Sequence, residues 1–154
     1  NTFRAWVLVD LAGRAAAATG LPIWVSVILN QHNDLLSGES LRDATRAVLT
    51  VKPDALLVNC IPVAQAAGAV VALRAATASA RIRLGVYANA GHIEEGEWSM
   101  ARGVTPEAYA EAATEWLAAG ASIIGGCCGA TPDHIARLAN QIARGPDYAR
   151  PDCQ

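Results

Sequence analysis

Short, almost continuous apolar runs alternate with longer segments of helical composition along this chain. The apolar runs are typical of strands buried on both faces of a parallel sheet. They lie at residues 21–29, 54–60, 82–90 and 121–126. The intervening segments predict helices at residues 3–18, 41–51, 63–78, 106–120 and 132–143. Strand and helix alternate at this spacing in α/β proteins, so we expect four parallel strands alternating with helices.

Local signals fix several helix starts and one long loop. Ser40 is the predicted N-cap of the second helix, and Thr105 followed by Pro106 opens the fourth. Residues 91–104 are polar and predict a loop. No glycine-rich nucleotide motif stands at a strand-to-helix turn, which leaves a nucleotide site without support. The pattern fits either an open doubly wound sheet or part of a (β/α)₈ barrel.

Composition narrows the class of protein. With 154 residues the chain fits one domain, and its charged fraction of 17% lies below the usual quarter. The net charge is −2 and the arginines are scattered, so we expect no nucleic-acid partner and no membrane association. The first residue is Asn1 rather than methionine, and the chain is expected to be either an internal piece of a longer protein or a processed one. Without a secretion signal, the cysteines indicate a reducing cytoplasm.

Three of the four cysteines follow the ends of predicted strands. Cys60 ends one apolar run, and Cys127 and Cys128 directly follow another. Functional groups gather at the carboxyl ends of parallel strands, so these thiols should meet at one rim. Three thiolates suit a zinc site with one open position, although free cysteines are also common as small buried apolar residues. Gly125, Gly126 and Gly129 are expected to let the backbone bend around the ion.

Several of these segments resemble one protein family. The stretch "GASIIGGCCGATPDHI" (residues 120–135) resembles the signature of the homocysteine S-methyltransferase family. "PDALLVNC" resembles the family's upstream zinc-cysteine segment, and "LPIWVSV" and "LLSGESLRDA" resemble the strand and helix before it. "YANAG" resembles another family segment, with Ala88 where proline is usual.

This resemblance implies a fold and a reaction. It implies the C-terminal half of a (β/α)₈ barrel, with residues 1–145 as a partial homocysteine-binding domain and residues 146–154 as a tail. Cys60, Cys127 and Cys128 would bind Zn²⁺, and the homocysteine thiol would complete the site. Methionine would form from a methyl donor such as S-methylmethionine, S-adenosylmethionine, betaine or a methylfolate. The family's earlier strand-helix units are absent from this sequence, so we expect self-association or a complementary N-terminal half.

Other side chains receive smaller roles. Asn59 and Asn89 end predicted strands and are candidate substrate-binding residues. His32 and His92 lie in rim-side loops, where histidines are usually solvated, and His134 is assigned no chemistry. Asn1 is expected to replace a glutamate of the family. Three tryptophans, Trp24, Trp98 and Trp116, are predicted to pack in the core or in loops. Cys153 is expected to have no role.

Two other functions remain open. One is a non-catalytic zinc-binding half-barrel that completes a barrel with a partner. The other is a dithiol redox protein that uses Cys127 and Cys128.

Overall fold

A computed structural model describes residues 5–94, 97–99 and 103–144. The helices are α1 (Ala5–Ala17), α2 (Leu41–Leu49), α3 (Val63–Ala76), α4 (Pro106–Ala119) and α5 (Pro132–Arg144). The strands are β1 (Trp24–Val27), β2 (Ala55–Pro62), β3 (Arg83–Asn89), β4 (His92–Glu94), β5 (Glu97–Ser99) and β6 (Ile123–Gly126). Each predicted helix and strand is present, with ends that shift by a few residues.

The main sheet confirms the predicted architecture. Its four strands lie in the order β1-β2-β3-β6, and every neighbouring pair is parallel. A helix follows each strand, so the sheet is built from successive βα units. Strands β1 and β6 are the two edges, and within the described residues neither pairs on its outer side.

The two faces of the sheet differ in what covers them. Alternate residues of a strand point to opposite faces. Leu56, Val58 and Val86 point toward the helices and form the buried core with α3 and α4. On the opposite face, Ser26 of β1 is hydrogen-bonded to Asn59 of β2. The apolar core therefore lies between sheet and helices, and the carboxyl ends of the strands carry polar and sulfur-containing side chains.

The predicted helix caps are confirmed. The hydroxyl of Ser40 accepts a hydrogen bond of 3.1 Å from the N–H of Asp43, and that of Thr105 accepts one of 3.3 Å from Ala108. These bonds satisfy main-chain donors that a helix start leaves free. Helix α4 ends at Gly120, whose φ of 116° is accessible to glycine at little cost.

Two predictions about secondary structure are wrong. Residues 91–104 are not a simple loop, because β4 and β5 pair as an antiparallel hairpin within them. Each strand has three residues, which is too short for an alternating pattern to be recognised in the sequence. Strand β2 does not end at Cys60 but continues to Pro62.

The tryptophans divide between core and surface. Trp116 is buried in α4, as predicted, with 1% of its surface exposed. Trp24 is not a core residue: it is 50% exposed because β1 is an edge strand, and the guanidinium of Arg83 lies 5.6 Å from its ring. The side chain of Trp98 lies outside the described part of the chain. Among the described residues, no helix has both the length and the apolar character needed to cross a bilayer.

Candidate metal centre

Cys60 lies in a β-bulge near the carboxyl end of β2. The pairing of β2 with β3 passes from Asn59 directly to Ile61, which leaves Cys60 as an unpaired extra residue. Its φ is 54°, in the left-handed region that non-glycine residues rarely adopt. Bulges redirect side chains and recur near functional sites. Here the bulge turns one thiol away from the regular alternation of a central strand.

Cys127 and Cys128 lie in the double-cysteine turn (residues 127–131), which joins β6 to α5. The N–H of Cys127 donates to the carbonyl of Ala88 at 2.9 Å. The carbonyl of Cys128 accepts from the N–H groups of Ala90 and Gly91 at 2.9 and 3.2 Å. Main-chain hydrogen bonds therefore fasten this turn to the end of β3.

The glycines around the turn have two different functions. Of the three that were expected to bend the backbone, Gly129 has a positive φ, of 81°. Gly125 and Gly126 instead continue β6 and permit close packing. A Cβ on Gly125 would lie 2.9 Å from the ring of Tyr87, and one on Gly126 would overlap the Cβ of Ala130. Larger residues would thus push the strand away from its neighbours.

The three sulfur atoms meet as predicted. Those of Cys60, Cys127 and Cys128 all lie within 4.8 Å of one another, in an arrangement that could hold a metal ion. Cys60 Sγ lies 2.8 Å from Cys127 Sγ and 3.8 Å from Cys128 Sγ, and the two adjacent cysteines are 3.9 Å apart.

These distances test whether the residues fit zinc. Tetrahedral zinc with bonds of about 2.3 Å to thiolates separates its sulfur ligands by about 3.8 Å. Two of the three distances agree, and the third would have to widen by about 1 Å. Cys60 and Cys127 are half-buried and Cys128 is exposed, so the cluster has an open side. The donor set and its spacing fit a thiolate metal site that is open to a further ligand.

Hydrogen bonding between Cys60 and Cys127 separates the pKa values of the two thiols in the metal-free protein. A hydrogen bond with Cys127, together with burial, raises the pKa of Cys60 to about 12. Burial acts to raise the pKa of Cys127 as well, but its hydrogen bonds with Cys60 and Cys128 outweigh burial and lower that pKa. Cys127 is therefore the more acidic thiol of the pair.

Asn59 and Asn89 both lie at the rim. Asn59 Oδ1 accepts a hydrogen bond of 2.6 Å from Ser26, and its side chain also bonds to Cys60 in the sense that lowers the pKa of that thiol. Asn89 is the last residue of β3, and its Oδ1 is buried without a hydrogen-bond partner among the described residues. Substrate contact by either residue stays a prediction.

Tyr109 connects the two strand ends next to the site, and no sequence pattern predicted this role. Its hydroxyl lies 2.8 Å from the carbonyl of Ala88 and 2.9 Å from that of Gly125, so it joins the ends of β3 and β6. The side chain is fully buried in α4, and desolvation raises its pKa. The hydroxyl therefore stays protonated and acts as a donor.

His134 is also part of the structure around the turn, although the sequence analysis gave it no role in chemistry. It is 5% exposed, and its ring bonds to Thr131 and to the carbonyl of Val104. A signal was present: a side chain three residues after the residue that precedes a helix, here Thr131, can bond back to it.

Among the other candidates, the structure describes the side chain of His32, which does not join the cluster. His32 is exposed in the loop after β1, where it contacts Gln31. The side chain of His92 lies outside the description, as do Asn1 and Cys153.

Comparisons with known proteins agree with this geometry. A family model described as homocysteine S-methyltransferase matches residues 4–142. The chain is 30% identical to homocysteine S-methyltransferase 1 of Zea mays, over 94% of this chain and 44% of the relative. It is 32% identical to the methionine synthase of Mycobacterium leprae, over 96% of this chain and 12% of the relative.

A solved structure shows the same arrangement. The homocysteine methyltransferase MmuM from Escherichia coli, in its apo form, superposes with a TM-score of 0.66 at 27% identity, over 88% of this chain and 46% of MmuM. The predicted fold is confirmed: four parallel strands alternate with helices, as in half of a (β/α)₈ barrel. The chain spans less than half the length of each of these three proteins.

Proposed function

Because the chain belongs to the homocysteine S-methyltransferase family, we propose that it forms the metal-bearing part of an enzyme that methylates the thiol of homocysteine to give methionine. The observation that carries this proposal is the cluster of three thiols, all within 4.8 Å of one another at the carboxyl end of the sheet. They come from two strands that are not neighbours, so no local sequence feature alone explains their meeting.

Cys60, Cys127 and Cys128 would hold Zn²⁺ at this rim. When bound, zinc stabilises the thiolate form of a thiol that it coordinates, and the thiolate is the nucleophilic form. The exposed side of Cys128 leaves room for the homocysteine sulfur to approach. Asn59, whose side chain bonds to Cys60, and Asn89, at the end of β3, would orient the amino-acid part of the substrate.

In the reaction a carbon–sulfur bond forms between homocysteine and the methyl group. The bond between that methyl group and its donor breaks, and the thiol proton is released. S-methylmethionine, S-adenosylmethionine, betaine and a methylfolate all carry a methyl group on a suitable leaving atom. An assay in which each of the four donors is supplied in turn would therefore identify the one that is used.

The two sheet edges support a requirement for further strands. An open parallel sheet exposes main-chain groups on β1 and β6, which proteins normally cover. We propose that a complementary N-terminal half, or a second copy of this chain, completes the barrel. If the completed barrel binds zinc but transfers no methyl group, the chain is a non-catalytic zinc-binding half. Three free thiols in one cluster suit the reducing cytoplasm as the place of action.

The test combines metal analysis with methyl transfer. We expect one zinc per chain, and methionine formation from homocysteine and a labelled donor once the complementary half is supplied. Cys153→Ser should match the unsubstituted chain in both measurements. A chain that holds no zinc and instead cycles a disulfide between Cys60 and Cys127, the closest pair at 2.8 Å, would favour the redox function. A disulfide between the adjacent Cys127 and Cys128, whose sulfurs are 3.9 Å apart, would support the same function.

A further inference from the structure

His134 closes a ring of hydrogen bonds around the double-cysteine turn. Its Nε2 lies 2.8 Å from the carbonyl oxygen of Val104. The N–H of Val104 donates to Ala90 at 2.7 Å, and the N–H of Ala90 donates to Cys128 at 2.9 Å. On the other side of the ring, the N–H of Thr131 lies 3.2 Å from Nδ1 of His134. The ring therefore links the turn, the end of β3 and the first turn of α5.

These partners fix the donor and acceptor roles of the two nitrogens of the His134 imidazole. The carbonyl of Val104 can only accept, so Nε2 carries the hydrogen. The main-chain N–H of Thr131 can only donate, so Nδ1 presents its lone pair. The Thr131 hydroxyl, 2.8 Å from Nδ1, supplies a second donor. The ring is also packed edge-on against Tyr109, with 5.5 Å between centroids. His134 is thus a buried imidazole whose two nitrogens have different, defined hydrogen-bond roles.

We propose that His134 is a positioning residue for the metal centre, which holds Cys127 and Cys128 at the distance from Cys60 that metal binding requires. The inference rests on the proposed zinc function. His134 reaches the cysteines through main-chain groups and not through their sulfur atoms, so it acts on where the ligands lie. Groups that orient metal ligands in this way typically contribute 10–100-fold to metal affinity.

Three substitutions of His134 separate the effects of its two hydrogen bonds, one to Thr131 and one to Val104. His134→Ala removes both, His134→Asn keeps an acceptor near the Nδ1 position, and His134→Gln keeps a donor near the Nε2 position. We expect His134→Ala to lower zinc affinity roughly 10–100-fold in a competition with a chromophoric chelator. The amide variants should each recover part of that loss. Cobalt substitution should show weaker thiolate-to-metal absorption for His134→Ala.

Leu138→Ala is the matched control. Leu138 lies one turn further along α5 and is buried in the same core, but it has no part in the ring. Its truncation should lower the free energy of unfolding and leave zinc affinity unchanged. Equal losses of affinity in His134→Ala and Leu138→Ala would show that His134 serves only the stability of α5, which overturns the proposal.

A metal-free measurement keeps this inference separate from the proposed function. A short bifunctional thiol reagent should bridge Cys60 and Cys127 quickly in the unsubstituted protein and in Leu138→Ala, and slowly in His134→Ala. If the unsubstituted protein takes up no zinc, the proposed function fails, and the cross-linking rates still decide the role of His134. A native rate in folded His134→Ala would refute the positioning role.

The native protein offers one more test, which needs no variant. Imidazole ¹⁵N NMR at neutral pH should show an unprotonated Nδ1 and a protonated Nε2 for His134. A doubly protonated ring, or the opposite tautomer, would break the ring of hydrogen bonds and overturn the inference.

Discussion

The thiols of the cluster come from two different kinds of strand: Cys60 lies on a central strand, and the double-cysteine turn follows an edge strand. Cys60 lies on β2, a central strand paired on both sides, and its neighbours Val58 and Ile61 are buried. The turn follows β6, an edge strand that pairs only with β3 among the described strands and is half-buried along its length.

The difference shows that the two positions need different kinds of support. A side chain on a central strand is held by packing, and it needs an unusual main-chain conformation to leave the regular alternation, which the bulge at Cys60 provides. A chain leaving an edge strand turns freely and needs anchors, which β3, Tyr109 and His134 provide.

The largest effect should come from replacing a sulfur ligand, either Cys60 or one of the two cysteines of the turn. Serine replaces a soft thiolate with a hard, poorly ionised oxygen. Cys60→Ser, Cys127→Ser and Cys128→Ser should each lower zinc affinity by more than the roughly 10–100-fold of outer-shell changes, and methyl transfer should be lost. Zinc stoichiometry and chelator competition measure this. Stoichiometric zinc at native affinity in Cys127→Ser or Cys128→Ser would contradict the assignment.

The next effect tests the anchors of the edge strand. Tyr109→Phe removes the donor that joins the carbonyls of Ala88 and Gly125. Leaving the carbonyl of Gly125 without this donor, while that of Ala88 keeps the N–H of Cys127, should lower the free energy of unfolding by about 1–3 kcal/mol, measured with urea. Tyr87→Phe is the control, because the structure gives its hydroxyl no hydrogen bond within the described residues. Equal stability of the two variants would argue against an anchoring role.

A smaller effect should distinguish the main-chain conformation at Cys60 from that at Cys128. At Cys60, with φ of 54°, metal-free Cys60→Gly should be more stable than Cys60→Ala by about 1 kcal/mol. At Cys128, which is not among the positive-φ residues, glycine should be less stable than alanine by roughly 0.5–1 kcal/mol. Thermal or urea unfolding of the four variants measures both differences. The same sign at both positions would remove the contrast between bulge and turn.

The smallest effect concerns the order in which thiols react in metal-free protein. A lowered pKa gives more thiolate at a given pH, so alkylation of Cys127 should begin at lower pH than that of an ordinary thiol. The pKa of Cys60 is raised to about 12, so this thiol should stay protonated and react slowly until strongly alkaline pH. Peptide mass spectrometry after alkylation at a series of pH values measures the order. Earlier modification of Cys60 would contradict the assignment of Cys127 as the more acidic thiol.

Much of the fold and the centre of the site could be predicted from the sequence. The apolar runs located all four parallel strands, and Ser40 and Thr105 marked helix starts because their side chains satisfy free main-chain donors. The meeting of Cys60 with Cys127 and Cys128 followed from the rule that parallel strands present their carboxyl ends to one rim.

The support around that centre could not be predicted, because it depends on contacts between distant segments. Nothing in "VNCIP" marks an extra residue at Cys60, since the bulge exists only relative to the register of β3. Tyr109 reaches carbonyls 16 and 21 positions away in the chain. Trp24 has the composition of a core residue, and its exposure follows from the position of β1 at the sheet edge.

The separation of the cysteines along the chain has a consequence for folding order. Cys60 and Cys127 are 67 positions apart, and α3, β3, the hairpin and α4 lie between them. Closing a loop of this length costs an unfolded chain on the order of 4 kcal/mol in conformational entropy. β2 and β6 do not pair with each other, so the thiols assemble only after β3 has paired with both. Because such long-range contacts form slowly, metal capture should be a late event that reports completion of the sheet.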